Sequence, residues 1–218
     1  MAMAKNTAWS DEFWLPLLQL YLQKPTGMKP TYSRGMVSLG IELHIHPSIL
    51  SDQMKKIDAL STPKLERIYH TYANNPQRLK RAVGLWREMR GFGSGNTFYD
   101  GIDVSESFEG DFRPLAEDER LTPIALTLIL DLYFRLTPIT MVSETPEVIE
   151  MARLLKVNPQ LVTEILELYQ LCDPYLNRSD VSMSPLLTPC QQVWTRYSTT
   201  DINRLAALAE ELKAFYRS

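Results

Sequence analysis

The feature that most constrains this chain is an internal repeat. The stretch from Leu17 to Pro63 aligns without a gap on the stretch from Ile129 to Tyr175, at a constant offset of 112. Four pairs are identical: Leu20/Leu132, Tyr21/Tyr133, Leu43/Leu155 and Pro47/Pro159. Many more are apolar in both copies, among them Met36/Val148, Val37/Ile149, Ile45/Val157, Leu50/Val162 and Met54/Leu166. A tryptophan follows each copy, Trp86 and Trp194, at an offset of 108. Unrelated amphipathic helices would not keep register across a proline and a turn. The chain therefore reads as a tandem duplication of one small domain, and 218 residues leave room for two units of about 100 each.

The repeated unit is helical. Apolar residues recur at spacings of three and four over 11–22, 34–43, 47–60, 63–73, 76–90, 121–135, 146–155, 159–171 and 201–216. No helix is assigned between 171 and 201, and a short hairpin in each copy stays open. Two helix starts carry clear chemistry. Asn158 before Pro159 is an N-cap followed by a residue with no N–H to leave unpaired. Thr145-Pro146 is similar, with Glu147 at the positive end of the helix dipole. Gly91 is expected to end the helix before it in a left-handed cap. In the last helix, Leu205, Leu208, Leu212 and Phe215 form one stripe, behind a cap at Thr200 or Asp201. That stripe closes the second domain's core or else forms a dimer seam.

Charge divides the chain. Residues 1–100 hold 13 Lys and Arg against 8 Asp and Glu, whereas 101–218 hold 10 against 18. The basic excess lies in 55–90 and the acidic excess in 103–119. Such asymmetry is expected when only one half meets a polyanion; two solvated faces of opposite sign are the plainer reading. The acidic stretch from Gly91 to Pro114 lacks periodicity and reads as a linker. It carries Phe92, Phe98, Tyr99, Phe108 and Phe112, more aromatics than a free linker needs, so it is expected to lie along the domains. A second reading has its acidic strip covering the basic face.

Each repeat contains helix, tight turn, helix: RGMVSLGIEL, HIH, PSILSDQMKKI in the first copy and EVIEMARLL, KVN, PQLVTEILELYQL in the second. A small residue, Gly40 or Ala152, stands where the first helix crosses the second. Ile45, Leu50 and Met54 supply the inner face, with Val157, Val162 and Leu166 in the other copy. On these residues the chain resembles the helix-turn-helix DNA-binding superfamily, in tandem copies. That resemblance implies an all-α fold of two helix-turn-helix domains, 1–90 and 120–218, joined by an irregular acidic linker over 91–119. It also implies a second helix whose outer face enters a major groove. More loosely, each repeat is similar to the small helical module fused to HNH-type and McrB-like restriction nucleases. The likeness rests on the leading LxLY helix, on Leu171, Cys172, Asp173 and Pro174, and on Val193-Trp194; no nuclease motif accompanies it.

Side chains decide which copy is the better DNA reader. The outward positions of the first copy's second helix are taken as Ser48, Ser51, Asp52, Gln53, Lys55 and Lys56. Gln suits adenine, Ser either base, and Lys55 and Lys56 suit phosphate. The second copy offers Gln160, Thr163, Glu164 and Glu167, and carboxylates repel phosphates. Downstream of the first copy, Lys64, Arg67, Arg78, Lys80 and Arg81 add cations. The expected partner is therefore double-stranded DNA, held by the first copy. The second copy or the C-terminal helix is expected to form a homodimer. The rival reading makes both copies protein-interaction modules without nucleic-acid binding.

Other chemistry is weakly signalled. His44 and His46 align with Lys156 and Asn158 and read as turn and cap residues rather than metal ligands, and no third ligand is near. GFGSGN at 91–96 lacks the Lys-Ser/Thr of a phosphate-binding loop. Three histidines, His44, His46 and His70, leave no nucleophile–base arrangement to propose. No enzyme activity and no cofactor are expected. Two cysteines, Cys172 and Cys190, sit among apolar neighbours and read as reduced, packed thiols. The N-terminal MAMAKNTAWSDEF has no apolar core of a secretory signal, and the longest apolar run, 126–134, is broken by Asp131. A cytoplasmic protein outside membranes, regulating transcription or assisting a mobile element, is the resulting expectation.

Overall fold

The computed structural model describes residues 9–92, 108–176 and 183–217, and every regular element among them is a helix. Contacts divide the chain into two compact units, Met1–Asp103 and Val104–Ser218.

In the first unit a single 3-10 turn, Asp11–Phe13, leads into α1 (Trp14–Leu22), followed by α2 (Arg34–Leu43), α3 (Pro47–Asp58), α4 (Pro63–Tyr72) and α5 (Pro76–Phe92). α1 is the centre: α2, α3, α4 and α5 all pack on it. Leu17, Leu18, Met36, Leu43, Leu50, Met54, Val83 and Trp86 are sealed in the core between them. Proline opens α3, α4 and α5, where its missing N–H has no helical acceptor and its fixed φ fits the first turn. The residues before the prolines complete the caps. His46 Nδ1 accepts from the Ser48 N–H (3.2 Å), Thr62 Oγ1 from Leu65 (3.3 Å) and Asn75 Oδ1 from Arg78 (3.0 Å).

Several boundaries differ from the sequence expectation: α1 begins at Trp14 rather than 11, after the 3-10 turn, and α4 ends at Tyr72 rather than 73. α3 stops at Asp58 rather than 60, because Leu60 turns left-handed (φ +45°) and the Ser61 N–H closes onto the Lys56 carbonyl. α5 does not end at Gly91; it runs through it to Phe92.

In the second unit α6 (Phe108–Asp111) precedes α7 (Pro123–Arg135), α8 (Pro146–Leu155), α9 (Pro159–Cys172), α10 (Leu187–Tyr197) and α11 (Ile202–Arg217). α7 is buried from Ile124 to Tyr133, with α8, α9, α10 and α11 around it. This explains its near-continuous apolar sequence, since a helix covered on all sides needs no polar stripe. Its one carboxylate, Asp131, is buried and paired with Arg135 at 3.0 Å.

Two helices are not expected from the sequence, the single-turn α6 in the stretch read as linker and the longer α10. Pro189 lies inside it and two glutamines follow, which obscures the pattern. The proline occupies the first turn, whose N–H groups have no helical acceptor in any case. The signal was present in Leu186, Cys190 and Val193, all buried at spacings of four and three.

The segment read as a linker is divided. Residues 93–107, with Phe98 and Tyr99, lie outside the described residues, and so does any masking of the basic face by that stretch. Residues 108–119 pack within the second unit instead. Phe112 is buried against Phe215 (5.2 Å), Asp111 pairs with Arg196 (2.6 Å), and Leu115 and Leu121 are joined by a backbone hydrogen bond of 2.8 Å.

Of the α11 stripe, Leu205 and Leu212 are buried together with Ala209 on the side packed against α7 and α8, whereas Leu208 and Phe215 are only half-buried. Of the two cap candidates Asp201 serves, its carboxylate accepting from the Asn203 N–H at 2.8 Å. Thr145 holds the cap position of α8, but its hydroxyl donates to the Thr140 carbonyl (2.6 Å) rather than capping. Among the described residues no helix is long and apolar enough to cross a membrane.

Candidate nucleic-acid interface

The turn between α2 and α3 is three residues long and has a specific geometry. His44 ends α2 in the left-handed conformation (φ 56°), and the Ile45 N–H reaches back to the Gly40 carbonyl at 2.9 Å. The chain passes so close to α2 here that a Cβ on Gly40 would lie 2.8 Å from the Ile45 carbonyl oxygen. The corresponding turn of the second unit uses Lys156 (φ 60°) and the Val157 N–H on the Ala152 carbonyl, 3.0 Å. His44 and His46 thus serve as turn and cap residues. Among the described residues no three His, Cys, Asp or Glu side chains converge as a metal site.

This turn fixes which face of α3 points outward, and the outcome departs from the helical-wheel assignment. Ser51, expected outside, is buried (9% exposed), because α1 and α4 flank α3 in addition to α2. Gln53 is half-buried, and its Oε1 is enclosed with no hydrogen-bond partner. A carbonyl in that position cannot read adenine without leaving the fold. Ser48 is exposed, but its hydroxyl lies 2.7 Å from His46 Nδ1. Lys55 is exposed and held by Asp52 at 2.8 Å. Lys56 alone of the six outward positions combines exposure with a charge that no carboxylate among the described residues pairs. The base-reading group expected on α3 is therefore mostly spent inside the unit.

The cations beyond α3 fall into two sets. Lys64 pairs with Asp11 at 2.5 Å, and Arg87 grips Glu42 with two nitrogens at 2.6 and 2.9 Å. The Lys64 ammonium, helped by the Trp14 indole N–H, holds the Asp11 carboxyl below its ordinary value. The Glu42 carboxylate likewise raises the Arg87 guanidinium. Arg67, Lys80 and Arg81 are exposed, and no carboxylate among the described residues is in ion-pair range of them or of Lys56. Arg78 lies over the Tyr72 ring, 5.7 Å from its centroid, also without a carboxylate. Of these pairings only Asp52–Lys55 was legible in the sequence, as neighbours one helical turn apart. Lys64–Asp11 and Arg87–Glu42 span 53 and 45 residues and have no local signal.

The second unit offers a different face. Gln160, Glu164 and Glu167 of α9 are exposed, Thr163 donates to the Pro159 carbonyl (3.2 Å), and Glu164 accepts from Ser184 (2.9 Å). Its cysteines are thiols, Cys172 half-buried and Cys190 buried; burial pushes them up to about 11 and about 12. Tyr169, fully buried in the core, donates its hydroxyl to the Leu126 carbonyl at 2.9 Å.

No family model, no curated protein and no solved structure matches this chain.

Proposed function

We propose that this is a non-enzymatic DNA-binding protein built from two copies of one helix-turn-helix unit, in which the first copy holds the duplex mainly through its phosphates. The observation that carries this reading is a group of exposed cations with no carboxylate among the described residues in ion-pair range: Lys56 on α3, Arg67 on α4, and Arg78, Lys80 and Arg81 on α5. Lys24, Arg153, Lys156 and Arg204 are also exposed without one, but only these five lie on three successive helices. Those three helices are consecutive, with α3 packed on α4 and α4 on α5. Unpaired surface cations are what a polyanion can use, since their counterions are released on binding. The common ancestry of the units is supported by α2 and α8, whose ends fall 112 residues apart, and by the left-handed residue that ends each. A regulatory or accessory role follows if the protein positions other factors on DNA. Sequence reading is secondary, given that Ser51 and the Gln53 carbonyl are inside.

The protein-interaction reading has one observation of its own: α9 presents Glu164 and Glu167 where α3 presents Asp52 and Lys55. It applies to the second copy.

The test is fluorescence anisotropy with a labelled mixed-sequence duplex of about 30 base pairs over a salt series. Five phosphate contacts predict a log–log salt slope of about −4.5. Lys56→Glu/Arg67→Glu/Lys80→Glu should abolish most binding, whereas Lys55→Glu should change it little, its charge being already occupied. No binding at low salt, or binding that resists the triple reversal, overturns the proposal.

A further inference from the structure

Large apolar side chains are left in water at a few places, and two of them carry opposite charge. On α5, Arg78, Arg81, Leu85 and Met89 follow one another at spacings of three, four and four, and so share one face. The opposite face, with Leu79, Val83 and Trp86, is buried in the first unit's core. Leu85 is 61% and Met89 67% exposed, far more than a packed helix needs to leave in water. This face is a short apolar strip with two cations at one end.

The second unit has the complementary surface at the entrance to α8. Ile139, in the 3-10 turn Pro138–Thr140, is 89% exposed, and Val142 is 44% exposed. The Thr145 hydroxyl and N–H bond to the carbonyls of Thr140 (2.6 Å) and Val142 (3.1 Å), folding 139–145 into one tight corner. Glu144 and Glu147 are exposed at the same corner, and Glu150 follows one helical turn on. Among the described residues no lysine or arginine is in ion-pair range of these three carboxylates, Arg135 being paired with Asp131. The acidic groups belong to a corner held by its own hydrogen bonds, so the apolar pair is presented in a fixed shape.

We propose that these two surfaces dock between copies of this chain, the α5 strip of one copy seating on the 139–147 corner of a second. Leu85 and Met89 meet Ile139 and Val142, while Arg78 and Arg81 meet Glu144 and Glu147. Each surface supplies what the other lacks: two water-exposed apolar side chains and a pair of charges of opposite sign. Of the α11 stripe, Leu205 and Leu212 are already used in the core. Because the joined surfaces differ, the contact is head-to-tail and adds copies in rings or open chains rather than closing a two-fold dimer. The patches are small, which makes the association weak and dependent on concentration. This assembly does not rest on the DNA-binding reading, although Arg78 and Arg81 are common to both, so assembled copies offer fewer cations to phosphate.

Sedimentation velocity over a micromolar to submillimolar range of the whole chain tests it. The wild type should show a mass that rises with concentration. Leu85→Asp/Met89→Asp, Arg78→Glu/Arg81→Glu and Glu144→Arg/Glu147→Arg should each weaken the association constant by about tenfold or more. All six positions are exposed, so circular dichroism should stay unchanged. The decisive sample mixes the two charge-reversed variants: each is defective alone, yet every contact between unlike variants pairs opposite charges, and association should return. A wild type that stays monomeric throughout overturns the proposal, as does association insensitive to Leu85→Asp/Met89→Asp, or a mixture that remains monomeric.

Discussion

Replacing Gly40 by alanine isolates the close approach on which the α2–α3 turn depends. The added methyl would sit 2.8 Å from the Ile45 carbonyl oxygen, a backbone atom that moves only if the turn moves. The same turn holds the Ile45 N–H on the Gly40 carbonyl at 2.9 Å, so relief of the clash stretches that bond. Overpacking of this kind costs about 1–3 kcal/mol, and the gain in helix propensity from glycine to alanine returns about 1 kcal/mol. The second unit sets the scale from the other side. Ala152 stands at the matching place with a methyl already present, and its turn bond is only slightly longer at 3.0 Å. The penalty therefore falls low in its range and nearly cancels the propensity gain, so Gly40→Ala should change the stability of the first unit by less than about 1 kcal/mol.

Gly84→Ala is the matched control. It lies on α5, where an added Cβ meets nothing within 4 Å, so the propensity gain is unopposed and the unit should become more stable by about 0.5–1 kcal/mol. Urea unfolding followed by tryptophan fluorescence reads both, because Trp9, Trp14 and Trp86 belong to the first unit and Trp194 to the second; Trp194→Phe removes the second unit's signal. Equal stabilisation by the two substitutions would refute the close-approach argument.

Three further outcomes follow from the same structure. The Tyr21 hydroxyl donates to Asp58 at 2.7 Å, and that carboxylate raises the phenol from 10.0 to about 12. The folded state holds this proton more tightly, so the contribution is complete below pH 10 and is lost as pH rises to about 12. Tyr21→Phe should cost about 1 kcal/mol at neutral pH and flatten that alkaline loss in urea titrations. Cys172 and Cys190, raised by burial from 9.0 to about 11 and about 12, should react with a disulfide reagent at about pH 8 at least ~100-fold more slowly in the native chain than in denaturant. Equal rates would place the thiols outside the core. Arg135→Ala should leave Asp131 buried without its partner and destabilise the second unit by roughly 1–3 kcal/mol, with Asp131→Asn/Arg135→Ala recovering part of the loss.

Much of the helix pattern was legible in the chain. The spacing of apolar residues located α2 and α8 to the residue, and Asn158-Pro159 marked the start of α9, because these signals act within one or two turns. Gly40 and Ala152 were recognisable as the small residues of a helix crossing for the same reason. α10 escaped because a proline in a helix's first turn looks, in sequence, like one that breaks it.

What the sequence alone determined was which segments are helical, how they are capped and where the chain turns. Only the tertiary structure decided which of their residues face water and which charges are free. A helical wheel assigns one inner face, but α3 is flanked by α1, α2 and α4, and the extra neighbours bury Ser51 and the Gln53 carbonyl. Lys64 and Arg87 look identical to Lys80 and Arg81 in the sequence, yet Asp11 and Glu42 reach the first two from distant points in the chain. Helix formation is settled by interactions among near neighbours, whereas burial and charge pairing depend on which distant segments packing brings together.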